Sequence, residues 1–250
     1  MIKRRLKELM EDVYVANMKL VDSGLVIHTF GNVSGIDREE GIIAIKPSGV
    51  EYADLSVEDM VLVDMQGKVV EGELTPSSDT STHLKLYQAF PEIGGVVHTH
   101  SRYATAWAQA MKPIPCLGTT HADYFHGEIP CTGIISDGRI KKDYEQETGV
   151  QIIERFKNIN HRSMKAVLVA CHGPFTWGRD AEDAVFTSVM LEEIAMTAYM
   201  SVLLNPELEN IKQSLLDKHF LRKHGKNAYY GQKQESLTKR LHRRRKDHPT

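Results

Sequence analysis

Residues 94–102 read GGVVHTHSR. Two glycines lead into a pair of valines, and the run ends on two histidines with one residue between them. A short, valine-rich segment bounded by glycine has the composition of a buried β-strand. Side chains two apart on a strand share a face, so His98 and His100 are expected to present their imidazoles side by side. A second run of the same kind, KAVLVACHG (165–173), is expected to be a strand ending on His172. Three histidines at strand ends, with an open fourth position, match the ligand set of a catalytic divalent-metal site. Asp79, in PSSDT, is the carboxylate expected near them. Spacing alone leaves two readings open, a metal site or hydrogen-bonded structural histidines, because the chain has 12 histidines.

Outward from that strand, the pattern alternates. Leu6, Leu9, Met10, Val13, Ala16, Asn17 and Leu20 fall at helical spacing and predict a helix over 2–20. Strands are expected at 41–45, 60–65, 69–70 and 95–99. A helix should open at Ser78 or Asp79, where SDTSTH supplies hydroxyls and a carboxylate for the N-cap. Helices follow at 101–111, 147–157, 181–204 (capped by Asp180) and 207–224. The stretch IPCLGTTHADYFHGEIPC (114–131) is turn-rich and shows little periodicity. This alternation indicates one α/β domain over 1–232. The basic tail, 233–250, is low in apolar residues and is expected to be disordered.

Composition narrows the function classes. The chain has 250 residues, 41% hydrophobic, and a net charge of −2. The tail holds seven Lys/Arg against two Asp/Glu, so the remainder carries about −7. That is no basic surface for nucleic acid. The three cysteines, Cys116, Cys131 and Cys171, are scattered and suggest no disulfide framework. The first 20 residues are charged throughout and lack a secretory h-region, and no run of about 18 apolar residues suggests a membrane span. A cytoplasmic location without a membrane partner is the expectation.

Three polar segments could cradle an anion: FGNVSG (30–35), KPSGV (46–50) and PSSDT (76–80). Small residues let backbone N–H groups approach a phosphate, hydroxyls add donors, and a helix starting at PSSD adds its positive end. Each could equally be plain turn chemistry. No Walker or Rossmann pattern supports a nucleotide.

The ordered set GNVS, KPSG, PSSDT, HTHS, GTTHADYF, CHGPF and KHGKNAYYGQ resembles the class II aldolase/adducin family, and within it the 4-epimerases of L-ribulose 5-phosphate. The resemblance runs from about residue 6 to Gln232. It implies a three-layer α/β/α sandwich around a mainly antiparallel sheet, and a homotetramer with active sites between subunits. It implies a divalent metal (zinc, or manganese or cobalt) on His98, His100 and His172 with Asp79 close by. Gly31, Asn32, Ser48, Gly49, Ser77 and Ser78 match the positions that hold substrate phosphate. Asp123 and Tyr230 match the acid/base pair, with Tyr230 contributed by a neighbouring chain. The implied reaction interconverts L-ribulose 5-phosphate and D-xylulose 5-phosphate by breaking and rejoining C3–C4. The neighbouring readings are a fuculose- or rhamnulose-phosphate aldolase, a non-catalytic adducin-like head and a sugar-phosphate dehydratase. Such aldolases commonly carry glutamate in place of Asp79 and lack THADYF, and an adducin-like head loses the histidines. These features favour the epimerase.

Overall fold

The computed structural model describes residues 2–229. Tyr230 and the 233–250 tail lie outside the described residues. A seven-stranded sheet in the order β4-β3-β2-β1-β5-β7-β6 forms its centre. The strands are β1 (Asn32–Asp37), β2 (Ile42–Ile45), β3 (Val61–Asp64), β4 (Val69–Glu71), β5 (Gly95–His98), β6 (Ala166–Leu168) and β7 (Pro174–Gly178). Every neighbouring pair is antiparallel.

Strand alternation divides the core between the two faces. Val33, Ala44, Leu62 and Val97 pack with Val13, Ala16 and Leu20 of α1 (Ile2–Asp22) and with the first turns of α6 (Ala181–Leu204). On the opposite face, Ile43, Val61, Val63, Val96, Phe175 and Trp177 pack with Leu84, Leu86 and Tyr87 of α2 (Thr80–Ala89) and Ile152 of α5 (Asp137–Arg155). The result is the three-layer sandwich. The remaining helices are α3 (Arg102–Gln109), α4 (Thr119–Tyr124) and α7 (Gln213–His224). α6 is long and apolar enough to cross a membrane by composition alone. Here it is a packing element, set against β5, β7, α3 and α1. Its N-cap is Asp180, whose carboxylate accepts the Asp183 N–H at 2.7 Å, the cap expected for this residue type.

Four local readings need correction. FGNVSG is more than a polar loop: Asn32 opens a central strand, paired with His98 across the ladder. Its glycine and polar residues hid a strand that tertiary pairing supplies. The strand 166–168 stops well short of His172, which sits in the tight turn between β6 and β7. GTTHADYF contains the short helix α4, whose periodicity is too brief to register in sequence. Finally, α5 starts at Asp137, ten residues before the expected start, and is interrupted at Asp143 (φ −168°, ψ 93°).

Candidate metal centre and anion cradle

The β1–β5–β7 register decides the site. Asn32, His98 and Phe175 occupy one row of the ladder and face α2. The His98 ring stacks on Phe175 (centroids 4.3 Å, 19°) and its Nδ1 donates to the Pro174 carbonyl at 3.0 Å. That carbonyl can only accept, so Nδ1 carries the proton and the Nε2 lone pair is free. His100, just past the strand, brings its Nε2 to 3.1 Å from that of His98. Phe30 stacks on the His100 ring at 5.5 Å. His172 arrives from the β6–β7 turn, made by Val169 accepting the His172 N–H at 3.0 Å. Gly173 lets this turn approach: a Cβ there would stand 2.7 Å from the Thr99 carbonyl. Any larger residue would push His172 away from His98.

One ring nitrogen from each of the three histidines lies within 4.8 Å of the others. Tetrahedral ligands at about 2.0–2.1 Å from a Zn²⁺ stand about 3.3 Å apart, so small ring adjustments close this set on an ion. Burial, the closeness of His98 and only partial relief from Asp79 hold the His172 pKa down to about 3, and His100 is lowered for the same reasons. Both rings are therefore neutral at physiological pH, the state that binds a metal. The donor set fits a divalent ion.

Asp79 stands beside the cluster rather than within it. It occupies the N-cap position of α2, yet its carboxylate caps nothing. Instead Oδ2 accepts the Asn32 amide at 2.8 Å, while the same amide reaches Ser77 Oγ at 3.1 Å. Burial raises the Asp79 pKa, but His98, His83 and the Asn32 hydrogen bond outweigh it and keep the carboxylate ionised. The Asn32 Oδ1 atom is buried and has no hydrogen-bond partner among the described residues. An unpartnered buried amide oxygen costs about 1–3 kcal/mol, and such a cost is commonly carried where a ligand resolves it.

The other polar loops converge on the same cavity, about 350 Å³ in volume. KPSG and PSSD are joined by backbone hydrogen bonds, Ser48 N–H to Thr75 O and Ser77 N–H to Lys46 O. Gly31, Asn32, Ser48, Gly49, Ser77 and Ser78 all line it, together with Asp79 and the three histidines. Phe30, Lys46 and Pro47 of the quoted loops also reach the wall, and the structure adds Thr29, Tyr144 and Glu145, which lie outside every segment the sequence singled out. Lys46 is 1% exposed, its ammonium over the Tyr52 ring and bonded to the Pro47 and Val50 carbonyls. A lysine closing the apolar run IIAIK was the signal for it. Behind the cavity, His83 is fully buried with Nδ1 on Ser34 at 2.7 Å, and Ser34 meets Tyr87. Burial lowers its pKa to about 3, so this histidine belongs to the core rather than the surface.

Asp123 is elsewhere. It does not line the cavity. Its carboxylate takes a two-point hydrogen bond from Arg222 (2.7 and 3.1 Å) and a third from His219 at 3.1 Å, with the Lys223 ammonium at 3.6 Å. These donors outweigh burial and keep it ionised. Within one chain, then, the three histidines and the small polar loops assemble, and Asp123 joins α4 to α7.

Residues 11–199 match the sequence profile of the Class II Aldolase and Adducin N-terminal domain. The chain belongs to the class II aldolase and adducin family. It is 55% identical over 228 residues to the L-ribulose-5-phosphate 4-epimerase UlaF of Salmonella paratyphi B, covering 91% of this chain and all of that protein. An L-fuculose 1-phosphate aldolase structure superimposes with a TM-score of 0.73 at 25% identity, over 85% of this chain and 94% of that one. The L-fuculose 1-phosphate aldolase of Glaciozyma antarctica shares the fold, with a TM-score of 0.72 at 17% identity over 99% of this chain and 93% of its own. Class II aldolases depend on a divalent metal, which the three imidazoles suit.

Proposed function

We propose that this chain interconverts L-ribulose 5-phosphate and D-xylulose 5-phosphate by inverting C4. The observation that carries this reading is 55% identity across the full length of a relative named for that reaction. C4 of the substrate bears no acidic proton, so direct deprotonation cannot invert it. Removing the C4 hydroxyl proton and breaking C3–C4 leaves the C1–C3 fragment with the electron pair and releases an aldehyde, glycolaldehyde phosphate. Rotation of the aldehyde, re-formation of the bond and return of one proton to the C4 oxygen complete the inversion.

His98, His100 and His172, with Asp79 beside them, would hold the ion, zinc in the first instance, manganese or cobalt otherwise. When bound, it supplies the positive charge that stabilises the electron pair left by bond cleavage. Gly31, Asn32, Ser48, Gly49, Ser77 and Ser78 keep the phosphate anchored while the aldehyde turns, which prevents escape. Asp123 and Tyr230 exchange the C4 oxygen proton, one on each face. The absence of Asp123 from the lining of its own chain's cavity supports a site completed by a neighbouring subunit, in a cytoplasmic homotetramer. The rival reading is an aldolase, favoured by the likeness to L-fuculose 1-phosphate aldolase.

The test is to follow purified protein with L-ribulose 5-phosphate, before and after chelation and after adding back each metal. D-Xylulose 5-phosphate should form, stop with chelator and return with metal. Net accumulation of glycolaldehyde phosphate would select an aldolase, no product from metal-restored protein would exclude the epimerase, and cleavage of L-fuculose 1-phosphate by that protein would then select the aldolase.

A further inference from the structure

The three ligand rings are steadied by three different devices. A backbone carbonyl holds His98, and an aromatic ring lies on His100. The partner of His172 is a phenol: the Tyr144 hydroxyl stands 3.2 Å from His172 Nδ1, with the two rings 6.0 Å apart. With Nδ1 engaged there, Nε2 is the nitrogen left for an ion. An imidazole that gives one lone pair to a metal must carry its proton on the other nitrogen, and that proton needs an acceptor.

The backbone is arranged to deliver this hydroxyl. α5 breaks at Asp143, whose carboxylate accepts the Gln146 N–H at 3.0 Å and so caps a fresh helical segment starting at Tyr144. Thr148 donates to the Tyr144 carbonyl at 2.8 Å and Thr82 of α2 to the Glu145 carbonyl at 2.6 Å. α2 and α5 touch closely because residue 149 is glycine; a Cβ there would meet the Lys85 side chain at 2.7 Å. The interruption in α5 and its tight seat on α2 together place Tyr144 at the wall of the cavity.

We infer that Tyr144 is a positioning residue for His172: its oxygen accepts the Nδ1–H, fixes the tautomer that offers Nε2 to the ion, and leaves the phenol's own proton available to an oxygen in the cavity. A hydroxyl can donate to Nδ1 or accept from it, so metal binding selects the accepting direction. The inference rests on the three-histidine reading above, and the experiment separates the two.

Cobalt(II) serves as the probe, measured by competition with a chromogenic chelator and by its visible absorption bands, in wild-type protein, Tyr144→Phe and His98→Asn. Phenylalanine keeps the ring and removes only the hydroxyl, so the metal-free variant should melt as wild type does. Y144F should bind cobalt about 10- to 100-fold more weakly, the usual cost of removing an outer partner of a metal-ligating histidine, with altered visible bands. An affinity and spectrum equal to wild type would overturn the role of Tyr144. If wild-type protein takes up no cobalt, or H98N takes it up equally well, the metal centre itself is misplaced.

Discussion

The histidine cavity and the α4–α7 joint are both polar and both rich in titratable groups, yet they are built on opposite terms. In the cavity, groups converge and are left open. Two imidazole Nε2 atoms face each other at 3.1 Å, and the Asn32 Oδ1 is buried without a partner. At the joint, the Asp123 carboxylate is saturated by Arg222 and His219, and His224 Nε2 also meets the Asp123 carbonyl at 2.9 Å. Unmet polar capacity in a cavity marks a place for a ligand, whereas a fully met carboxylate marks a structural joint. For Asp123 to move protons as well, it must exchange partners when substrate binds.

The largest expected effect comes from the open region. His98→Asn should reduce turnover to background and abolish metal binding, while the metal-free protein melts close to wild type. A strongly lowered melting temperature would show the cluster to be a fold element and erase the contrast. Next is the joint. Asp123→Asn should lower turnover by about 10²–10⁴-fold, the usual contribution of a general acid or base, and should also lower the melting temperature, since the negative charge that Arg222 and His219 face is removed. Normal turnover in a destabilised D123N protein would make Asp123 purely structural. Tyr230→Phe should cost turnover on the same scale with metal content unchanged, and an unaltered rate removes Tyr230 from the mechanism.

A smaller effect is spread over both regions. Burial keeps His83 and His121 neutral down to about 3 and about 4, whereas histidines in the unfolded chain titrate near 6.5. Between those values the unfolded chain binds more protons, so stability rises with pH through that window and levels off above 6.5. At pH 5 each histidine should cost on the order of 2 kcal/mol relative to pH 7. The metal-free protein should therefore melt lower at pH 5 than at pH 7, and His121→Gln should flatten the slope. A flat profile in the wild type would contradict the buried, neutral assignment. The smallest effect belongs to the tail: removing 233–250 should leave activity and sedimentation behaviour near those of the full chain, and a changed oligomeric state would give those residues a role in assembly.

Much of this was legible in one dimension. The HTH spacing, PSSD and KPSG are local, and their chemistry follows from which atoms small and polar residues offer over a few positions. Hidden were features that depend on a partner far along the chain. Asn32 is a strand residue because His98 pairs with it. His83, at a helical position among polar neighbours, is a core residue because Ser34 and Phe175 close over it. SDTSTH offers hydroxyls and a carboxylate to cap α2, the ordinary use of such groups at a helix start, but the Asp79 carboxylate meets Asn32 instead.

The sequence by itself determined the alternation of strands and helices, the shared face of His98 and His100 and the small polar loops, because hydrophobic alternation and short-range residue chemistry carry that information, and the ordered motifs supplied the family. Only the tertiary structure decided how they meet: that ladder register sets Asn32 beside His98, that a turn relieved by Gly173 brings in His172, and that a break in α5 supplies Tyr144. It also separated Asp123 from the cavity, a fact no motif could hold, since the distance between two side chains is set by packing between elements and not by their order along the chain.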